Sequence, residues 1–389
     1  MTQAIRSMMM SEEMIHKGLE GVLVTKTSIC KVNGEEGKLY YYGYPIDVLE
    51  KYSSFEETSY LLLYSHLPNK EELADFTTKM RLARQISNPI LEMIKTFPRD
   101  SHPMELLQSS INFLSGYVDH KIEHSAYCNC RQTLHQIAQL PTIIAAFYRI
   151  KNGLEYVPPR DDLNHGANFL YMLRGVVPDK EEGDIMDKCL ILHAEHGLNA
   201  STFTARVVAS SLSTCYCSIS AAIGSLYGSL HGGANEKVVN MLKEIDSVQD
   251  VRPFLEEAAR TKRKIMGMGH RVYKAMDPRA VLMEGYLKTL STKKGNSVNY
   301  NLLKEIQKVF REMMDEKDKA IYPNVDFFSG AVYELLGIPP TLFTPIFAMA
   351  RAPGWLSHIL EQRQDNRIFR PKALFDGPLD REYLPLEAR

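Results

Sequence analysis

The segment SFEETSYLLLYSHLPNKEELADFTTKM, from Ser54 to Met80, sets the fold class because it contains the start and stop signals of two successive helices. Ser54 stands three residues before Glu57, which is a capping-box pattern, and Pro68 ends the helix that follows. Asn69, again three residues before a glutamate, begins the next helix. The apolar positions that repeat at helical spacing are Tyr60, Leu61, Tyr64 and Leu67 in the first helix and Leu73, Phe76 and Met80 in the second.

The same helical period recurs along the chain, for example from Leu302 to Met313, whereas strand patterns are few. The stretches TSICKV and KLYYYGY flank the turn NGEEG near Asn33 and predict one hairpin. Strands and helices do not alternate in the way that a parallel sheet requires. The sequence therefore predicts an all-α fold with a minor N-terminal β hairpin.

Composition argues against several classes of partner. The 389 residues include 46 Lys and Arg against 47 Asp and Glu, so a net charge of -1 gives no overall attraction to nucleic acid or to anionic membranes. The N-terminus has no apolar signal region, and the 6 cysteines of the chain form no C-x-x-C pair. Both observations favour a cytoplasmic protein with reduced thiols. The uncharged run from Val207 to Leu230 is rich in serine, and we interpret it as a buried helix at a close-packed interface rather than a membrane span.

Two glycine-containing segments are candidate domain boundaries. Gly228 to Gly233 (GSLHGG) is a natural hinge because glycine tolerates large backbone changes, and Tyr322 to Gly330 (YPNVDFFSG) is the second. This division predicts a large helical domain from residues 1–228 and 331–389 and a small helical domain, residues 229–330, inserted into it. Two such domains could close over a substrate and exclude water.

The segment GMGHRVYKAMDPR, from Gly267 to Arg279, is the strongest functional signal. It places His270 among glycines and cations, with Asp277 as its only acid. Glycines let the backbone approach a ligand, the cations suit phosphate or carboxylate groups, and a histidine transfers protons near neutral pH. The alternative is a solvated histidine in a charged loop.

Further candidates stand at element ends or beside apolar sequence. His231 in LYGSLHGGANE is either a catalytic group or a helix-capping loop histidine, and Asp326 in YPNVDFFSG is either a general base with a raised pKa or a helix N-cap. Arg279, Arg351 and Arg370 are candidate carboxylate receptors, or else members of surface salt bridges.

His193 and His196, in LHAEHGLN, are three residues apart and could share a helix face. With Glu195 they suggest a metal, but their spacing does not match the H-E-x-x-H pattern of zinc enzymes or its inverted form. A substrate contact by one histidine, or a satisfied core pair, is the preferred interpretation, and no metal is predicted.

Taken together, several of these segments resemble the citrate synthase family. The matching stretches, in family order and spacing, are HAEHGLN, GSLHGGANE, GMGHRVYKAMDPRA, YPNVDFFSG, FAMARAPGW and RPKAL, with KGLEGV near Lys17 and HPMELL at His102. The similarity runs from about Gly18 to the C-terminus. Because separate segments agree, it is far more specific than any one motif.

The resemblance implies a mostly helical two-domain enzyme that forms a homodimer. It implies an acyltransferase that condenses acetyl-CoA, as co-substrate, with oxaloacetate and then hydrolyses citryl-CoA, without a permanently bound cofactor. By matching, His231 holds the thioester carbonyl, Asp326 removes a proton from the acetyl methyl, and His270 protonates the oxaloacetate carbonyl. The residues matched to oxaloacetate binding are His196, Arg279, Arg351 and, from the partner subunit, Arg370. Those matched to CoA binding are Lys264, Ile265, Met266, Gly267, Met268 and Lys274.

The sequence is also compatible with other activities. A 2-methylcitrate synthase would use propionyl-CoA, and one methyl group in a pocket changes specificity by only about 10- to 200-fold. A catalytically inactive CoA-binding scaffold and a metal hydrolase built on His193 and His196 are the rivals from other classes. Only about 17 residues precede KGLEGV, so we expect a dimer without the nicotinamide regulation of longer bacterial relatives.

Overall fold

The computed structural model describes residues 15–117 and 130–389, with side chains of the second range described from residue 133. Contacts divide the chain into two units. One consists of Met1–Thr27 with Ile368–Arg389, and its described part contains two short 3₁₀ turns. The other, Ser28–Arg367, contains the strands and α-helices described below. The proposed division into a large and an inserted small domain stays a prediction.

The described residues form a helical protein with one small sheet, which confirms the predicted fold class. The helices are α1 (Ile46–Tyr52), α2 (Phe55–Tyr64), α3 (Lys70–Leu82), α4 (Asn88–Thr96), α5 (Pro103–Ser115), α6 (Cys130–Lys151), α7 (His165–Arg174), α8 (Lys180–His193), α9 (Ala200–Ser210), α10 (Cys215–Tyr227), α11 (Ala234–Leu242), α12 (Val251–Arg260), α13 (Pro278–Lys294), α14 (Val298–Asp315), α15 (Val325–Leu335) and α16 (Phe343–Gln364).

The N-terminal hairpin consists of the antiparallel strands β1 (Cys30–Asn33) and β2 (Lys38–Tyr41), in the register that pairs Cys30 with Tyr41. Strand β2 is shorter than the predicted strand KLYYYGY, because Tyr42 and Gly43 adopt positive φ and turn the chain. A short third strand, β3 (Tyr44–Pro45), follows and pairs with β2. The sheet has the order β1-β2-β3.

The segment from Ser54 to Met80 folds as two capped helices, and one helix boundary differs from the prediction. Ser54 accepts a hydrogen bond from the backbone N–H of Glu57 at 3.1 Å, and Asn69 forms the complete reciprocal capping box. Helix α2, however, ends at Tyr64, because Ser65 takes the left-handed conformation that closes the last turn. Leu67 therefore lies beyond the helix to which its spacing had assigned it.

The uncharged run from Val207 to Leu230 contains parts of two helices, so the interpretation as one helix is wrong. Helix α9 ends at Ser210, Leu212 adopts a positive φ of 60°, and α10 begins at Cys215. The two helices pack against each other, and α10 also packs on α5, where Gly224 leaves room for the Gln108 amide. Among the described helices, none is both long and apolar enough to cross a membrane.

Helix α16 is the central element of the core. It is buried along most of its length and packs against α2, α6, α8, α9 and α10. Gly354 makes this packing possible, since a Cβ there would lie 2.3 Å from both the Ala194 carbonyl oxygen and a Glu195 carboxylate oxygen. The end of α8 is thereby held against α16, which places the residues after His193 beside Arg351. Helix α15 packs against both α11 and α13. This second group of helices contacts α16 through α11.

Candidate active site

A cavity of about 170 Å³ gathers most of the candidate residues. We call it the histidine cavity. Its lining residues are His196, Asn199, His231, Gly232, Gly233, Ala234, Asn235, His270, Arg279, Asn324, Val325, Asp326, Thr344, Phe347 and Arg351. Residues that are far apart in the chain thus share one cleft. They include His231, His270 and Asp326, the three residues predicted to be catalytic.

Three kinds of local structure bring the reactive groups to this cavity. His231 lies in the turn between α10 and α11, where its backbone N–H bonds to the Gly228 carbonyl at 2.8 Å. Asp326 is the second residue of α15, and Asn324 caps that helix by accepting the Asp326 N–H at 2.9 Å. His270 comes from the loop between α12 and α13.

The loop that carries His270 is pinned to the segment before α15. Gly267 accepts the Asn324 N–H at 2.9 Å, the Asn324 side chain donates to the Gly269 carbonyl at 2.8 Å, and Gly269 donates to Tyr322. Gly267 has a φ of 76°, and a Cβ there would lie 2.7 Å from the Phe327 Cα. Only glycine fits this position, because a side chain would separate the loop from α15.

The protonation of His270 follows from its backbone contacts. Its Nδ1 accepts the N–H groups of Val272 at 3.0 Å and Tyr273 at 3.2 Å, so the ring proton of the neutral form is on Nε2. Burial, followed by the nearby Arg279, lowers the pKa of His270 to about 4. The ring is therefore neutral at pH 7 and presents an N–H donor.

His231 is held in the complementary way. Its Nε2 accepts the backbone N–H of Ser201 at 3.2 Å and lies 2.8 Å from the Ser201 hydroxyl, which leaves the proton of the neutral ring on Nδ1. The indole N–H of Trp355 donates to the same hydroxyl at 3.2 Å and fixes it. Burial, then Arg351, lowers the pKa of His231 to about 4, so this ring too is a neutral donor.

Asp326 has the properties of a base. Its neighbours Val325 and Phe327 are buried, and desolvation raises the pKa of Asp326 to about 6. Arg279 opposes this rise and Asp277 adds to it. A carboxylate with this pKa is mostly ionised at pH 7 yet accepts a proton more readily than an exposed aspartate.

Two buried arginines supply positive charge. Arg279 makes a bidentate pair with Asp277, with nitrogen–oxygen distances of 3.1 and 2.9 Å, and Asp277 also accepts the Val325 N–H. Arg351 donates through Nε to the His193 carbonyl at 2.6 Å and packs its guanidinium over the ring of Phe347. Each guanidinium is thus fixed on one side while it lines the cavity, an arrangement suited to an anion with carboxylate groups.

The pair His193 and His196 separates in the structure. His193 is fully buried and donates through Nδ1 to the Cys189 carbonyl at 2.8 Å, whereas the His196 ring lines the cavity and bonds to the Tyr273 hydroxyl at 3.1 Å. Burial lowers the pKa of both rings, and Arg279 adds to the effect. Within the described side chains, no group of three or more His, Cys, Asp and Glu residues is arranged to hold a metal ion.

A second cavity, of about 420 Å³, adjoins the first and shares Ala234 and Asn324 with it. We call it the methionine cavity. Its other lining residues are Leu255, Ala259, Arg263, Lys264, Ile265, Met266, Gly267, Met268, Phe310, Met313, Met314, Lys317 and Ile321. The predicted segment from Lys264 to Met268 lies here. Lys274 does not line either cavity; it is exposed and pairs with Glu35 at 2.5 Å.

Arg370 is an exposed residue of the unit formed by the chain ends, so its assignment stays a prediction.

The sequence did not identify Asp277, Ser201 and Tyr273 as parts of the site. Asp277 carried a usable signal, since an aspartate before Pro278 is typical of a helix N-terminus, and it caps α13 by accepting the Arg279 N–H. Ser201 and Tyr273 carried none, because their roles depend on contacts across the fold.

Comparisons with known proteins agree along the chain. A family model described as "Citrate synthase, C-terminal domain" matches residues 18–372. A citrate synthase of Synechocystis sp. is 43% identical over 383 residues, covering 98% of this chain and 96% of the relative. That of Deinococcus radiodurans is 44% identical over 376 residues, covering 96% and 99%. The crystal structure of citrate synthase from Pyrobaculum aerophilum matches with a TM-score of 0.91 and 42% identity, covering 96% of this chain and 95% of that one.

Proposed function

This chain belongs to the citrate synthase family, and we propose that it condenses acetyl-CoA with oxaloacetate and hydrolyses the citryl thioester to citrate and CoA. The observation that carries the proposal is the histidine cavity, where His231, His270 and Asp326 meet beside two buried arginines. A base, two neutral donors of opposite tautomer and an anion-binding pair are the groups that this reaction needs.

The first step forms a carbon nucleophile from acetyl-CoA. In this scheme Asp326 takes a proton from the acetyl methyl while the Nδ1–H of His231 hydrogen-bonds to the thioester oxygen, where negative charge develops. A positioned base contributes roughly 10²–10⁴-fold, and one donor aimed at the oxyanion contributes about 3–4 kcal/mol. The low pKa of His231 supports its role as a neutral donor throughout the cycle.

The second step forms the carbon–carbon bond. The methyl-derived carbon attacks the carbonyl carbon of oxaloacetate, and the oxygen that gains charge takes its proton from the Nε2–H of His270. Water then attacks the thioester carbonyl of citryl-CoA and gives one proton to the deprotonated His270, while the CoA thiolate leaves with the proton that Asp326 took from the methyl group. The new carboxyl group of citrate ionises to solvent, and both side chains return to their starting states. The acid and the base of each step are side chains of this protein, so the scheme uses no resident cofactor.

Oxaloacetate is a dianion, and Arg279, Arg351 and His196 are the proposed receptors for its carboxylates. Arg279 and Arg351 are each anchored by another group of the protein, which reduces the entropy that binding would otherwise cost. Hydrogen bonds to charged groups contribute about 1.5–3 kcal/mol each. The two guanidinium groups therefore supply a large part of the binding energy and orient the substrate, with Arg370 of the partner subunit as the third proposed arginine.

The methionine cavity is the proposed site of the CoA portion. It adjoins the histidine cavity at Ala234 and Asn324, so a long ligand lying in it could present its acyl end to Asp326. Lys264 and Lys317 supply cations for phosphate groups, and the apolar walls suit the less polar parts of the molecule. The assignment of Lys274 to a CoA phosphate requires it to leave Glu35.

The chain is also proposed to be a cytoplasmic homodimer in which Arg370 of one subunit reaches the site of the other. The test is activity in mixed dimers. Subunits that carry Arg370→Ala and subunits that carry Asp326→Ala should each be inactive alone, and mixing them should restore about a quarter to a half of the activity. No recovery in mixed dimers that are shown to have exchanged subunits would exclude the shared site.

The direct test of the reaction is CoA release by the purified protein with oxaloacetate and either acetyl-CoA or propionyl-CoA. We expect faster turnover with acetyl-CoA, as the citrate synthase relatives suggest. Higher kcat/KM with propionyl-CoA would indicate the 2-methylcitrate alternative. Absence of CoA release with both substrates, in a folded protein that still binds CoA, would indicate the inactive scaffold.

A further inference from the structure

Tyr273 contacts two of the cavity histidines, yet no step of the proposed reaction uses it. It is 6% exposed and does not itself line the histidine cavity. Its ring centroid lies 4.8 Å from that of His270 and 5.5 Å from that of His196. The two histidine rings are in turn 5.2 Å apart. The three rings therefore form one packed cluster behind the substrate groups.

Two polar contacts connect Tyr273 to this cluster. Its hydroxyl lies 3.1 Å from Nε2 of His196, and its backbone N–H donates to Nδ1 of His270 at 3.2 Å. We propose that Tyr273 is a positioning residue, whose hydroxyl holds the His196 ring in the orientation that binds oxaloacetate while its backbone fixes His270. This inference rests on the proposed function, since it specifies how one of the substrate-binding groups is oriented.

The surroundings of His196 explain why the ring needs such a partner. Burial and the charges of Arg279 and Arg351 keep His196 neutral, and a neutral imidazole can flip or exchange tautomers unless another group fixes it. Burial also raises the pKa of the Tyr273 hydroxyl, which therefore keeps its proton at neutral pH. A protonated hydroxyl that donates to Nε2 places the ring proton on Nδ1 and fixes the ring plane.

The substitution Tyr273→Phe isolates the hydroxyl. It keeps the aromatic packing against both histidines and leaves the backbone N–H to His270 in place. Loss of one neutral hydrogen bond predicts that KM for oxaloacetate rises about 3- to 10-fold, with kcat and KM for acetyl-CoA within twofold of the wild type. The matched control is Tyr42→Phe, which removes a hydroxyl bonded to Ser357 at 3.3 Å outside the cavity, and whose kinetics should not change.

A different outcome would mean that the Tyr273 hydroxyl competes with oxaloacetate for Nε2 of His196. Tyr273→Phe would then lower KM for oxaloacetate or leave it unchanged, because the substrate no longer displaces a bond. Either result would overturn the positioning role. A fall in kcat with KM unchanged would also contradict it, since the proposed effect acts on substrate binding.

A spectroscopic measurement tests the bond without any turnover. In protein with ¹⁵N-labelled histidine, the ring nitrogen signals of His196, assigned with a His196→Asn variant, should shift in Tyr273→Phe while those of His231 stay in place. Unmoved His196 signals would overturn the proposal. If the wild type failed to release CoA, the proposed function would fail, yet the nitrogen shifts would still report whether the hydroxyl orients the ring.

Discussion

The histidine cavity and the methionine cavity meet at Ala234 and Asn324 but are built in opposite ways. In the histidine cavity, both proton-donating histidines and both arginines are also tied to a second group behind them. Ser201 holds His231, backbone N–H groups hold His270, and Asp277 holds Arg279. In the methionine cavity, four of the lining residues are methionines with flexible side chains, and the cations, such as Lys264, are exposed.

This difference separates two requirements of one reaction. Proton transfer loses efficiency when a group moves by a fraction of an ångström, so its partners are fixed by several contacts. Binding of a long and flexible ligand instead gains from surface that adapts, for which methionine is suited because its unbranched side chain has several rotatable bonds. Substitutions in the first cavity should therefore change kcat or stability sharply, whereas those in the second should change KM for the acyl-CoA gradually.

The largest effect is expected for Asp326→Asn. The amide retains the shape of the carboxylate but cannot accept the methyl proton, so kcat should fall by roughly 10²–10⁴-fold. The fold should persist and become more stable at pH 7. The reason is that the raised pKa of Asp326 makes the folded state favour the protonated form, and stability is lost as pH rises from about 4 through 6.

Circular dichroism and urea unfolding at pH 7, together with steady-state CoA release, measure both effects. The control is Asp246→Asn, which changes an exposed aspartate that does not line either cavity and should leave kcat unchanged. Activity of Asp326→Asn within tenfold of the wild type would remove Asp326 from the role of base.

The next effect concerns stability. Asp277→Asn leaves the buried Arg279 charge without its bidentate partner, and breaking such a pair costs about 3–5 kcal/mol. The free energy of unfolding in urea should fall by this amount, and KM for oxaloacetate should rise as Arg279 reorients. By contrast, Asp162→Asn breaks an exposed pair with Arg160, which water and salt screen, and should leave stability nearly unchanged. If the two variants lost equal amounts of unfolding free energy, the claim that Asp277 holds a buried charge in place would be wrong.

The pH profile gives a smaller, distinctive effect. Asp326 acts ionised, so kcat/KM for acetyl-CoA should rise with pH through an apparent pKa of about 6 and be about tenfold lower at pH 5 than at its plateau. His231 and His270, with pKa values of about 4, stay neutral over this range and add no further inflection. A profile that falls as pH rises from 5 to 7 would require a protonated histidine as the acid and would contradict the neutral-donor scheme.

The helical fold could be predicted because its signals are local. Ser54 and Asn69 cap the helices that follow them, and apolar spacing marks the buried faces. The end of α2 was predicted too late, since the left-handed turn at Ser65 precedes the proline that the sequence offered as a stop. The serine-rich run was interpreted as one helix because Leu212, which turns the chain, is not a typical turn residue.

The site residues that were selected from sequence stand beside glycine, within unusual charge patterns or beside apolar sequence, as His231, Arg279 and Asp326 do. The residues that orient them could not be found in this way. Ser201 and Trp355 are 154 positions apart, and their contact exists only because α9 packs against α16. Lys274 shows the opposite case. Its basic, glycine-containing segment suggested a contact with a CoA phosphate, whereas in the structure it forms an exposed ion pair with Glu35.

The smallest expected effect is at Met266 in the wall of the methionine cavity. Met266→Ala removes part of the apolar surface offered to the CoA portion, and loss of about 1 kcal/mol of contact should raise KM for acetyl-CoA about fivefold. KM for oxaloacetate and kcat should stay within twofold, because Met266 does not line the histidine cavity. Met93→Ala, at a partly buried methionine of α4 outside both cavities, controls for the loss of packing and should change neither KM. An increase in KM for oxaloacetate as large as that for acetyl-CoA would show that the two cavities respond as one unit, and the division of labour between fixed and adaptable walls would then fail.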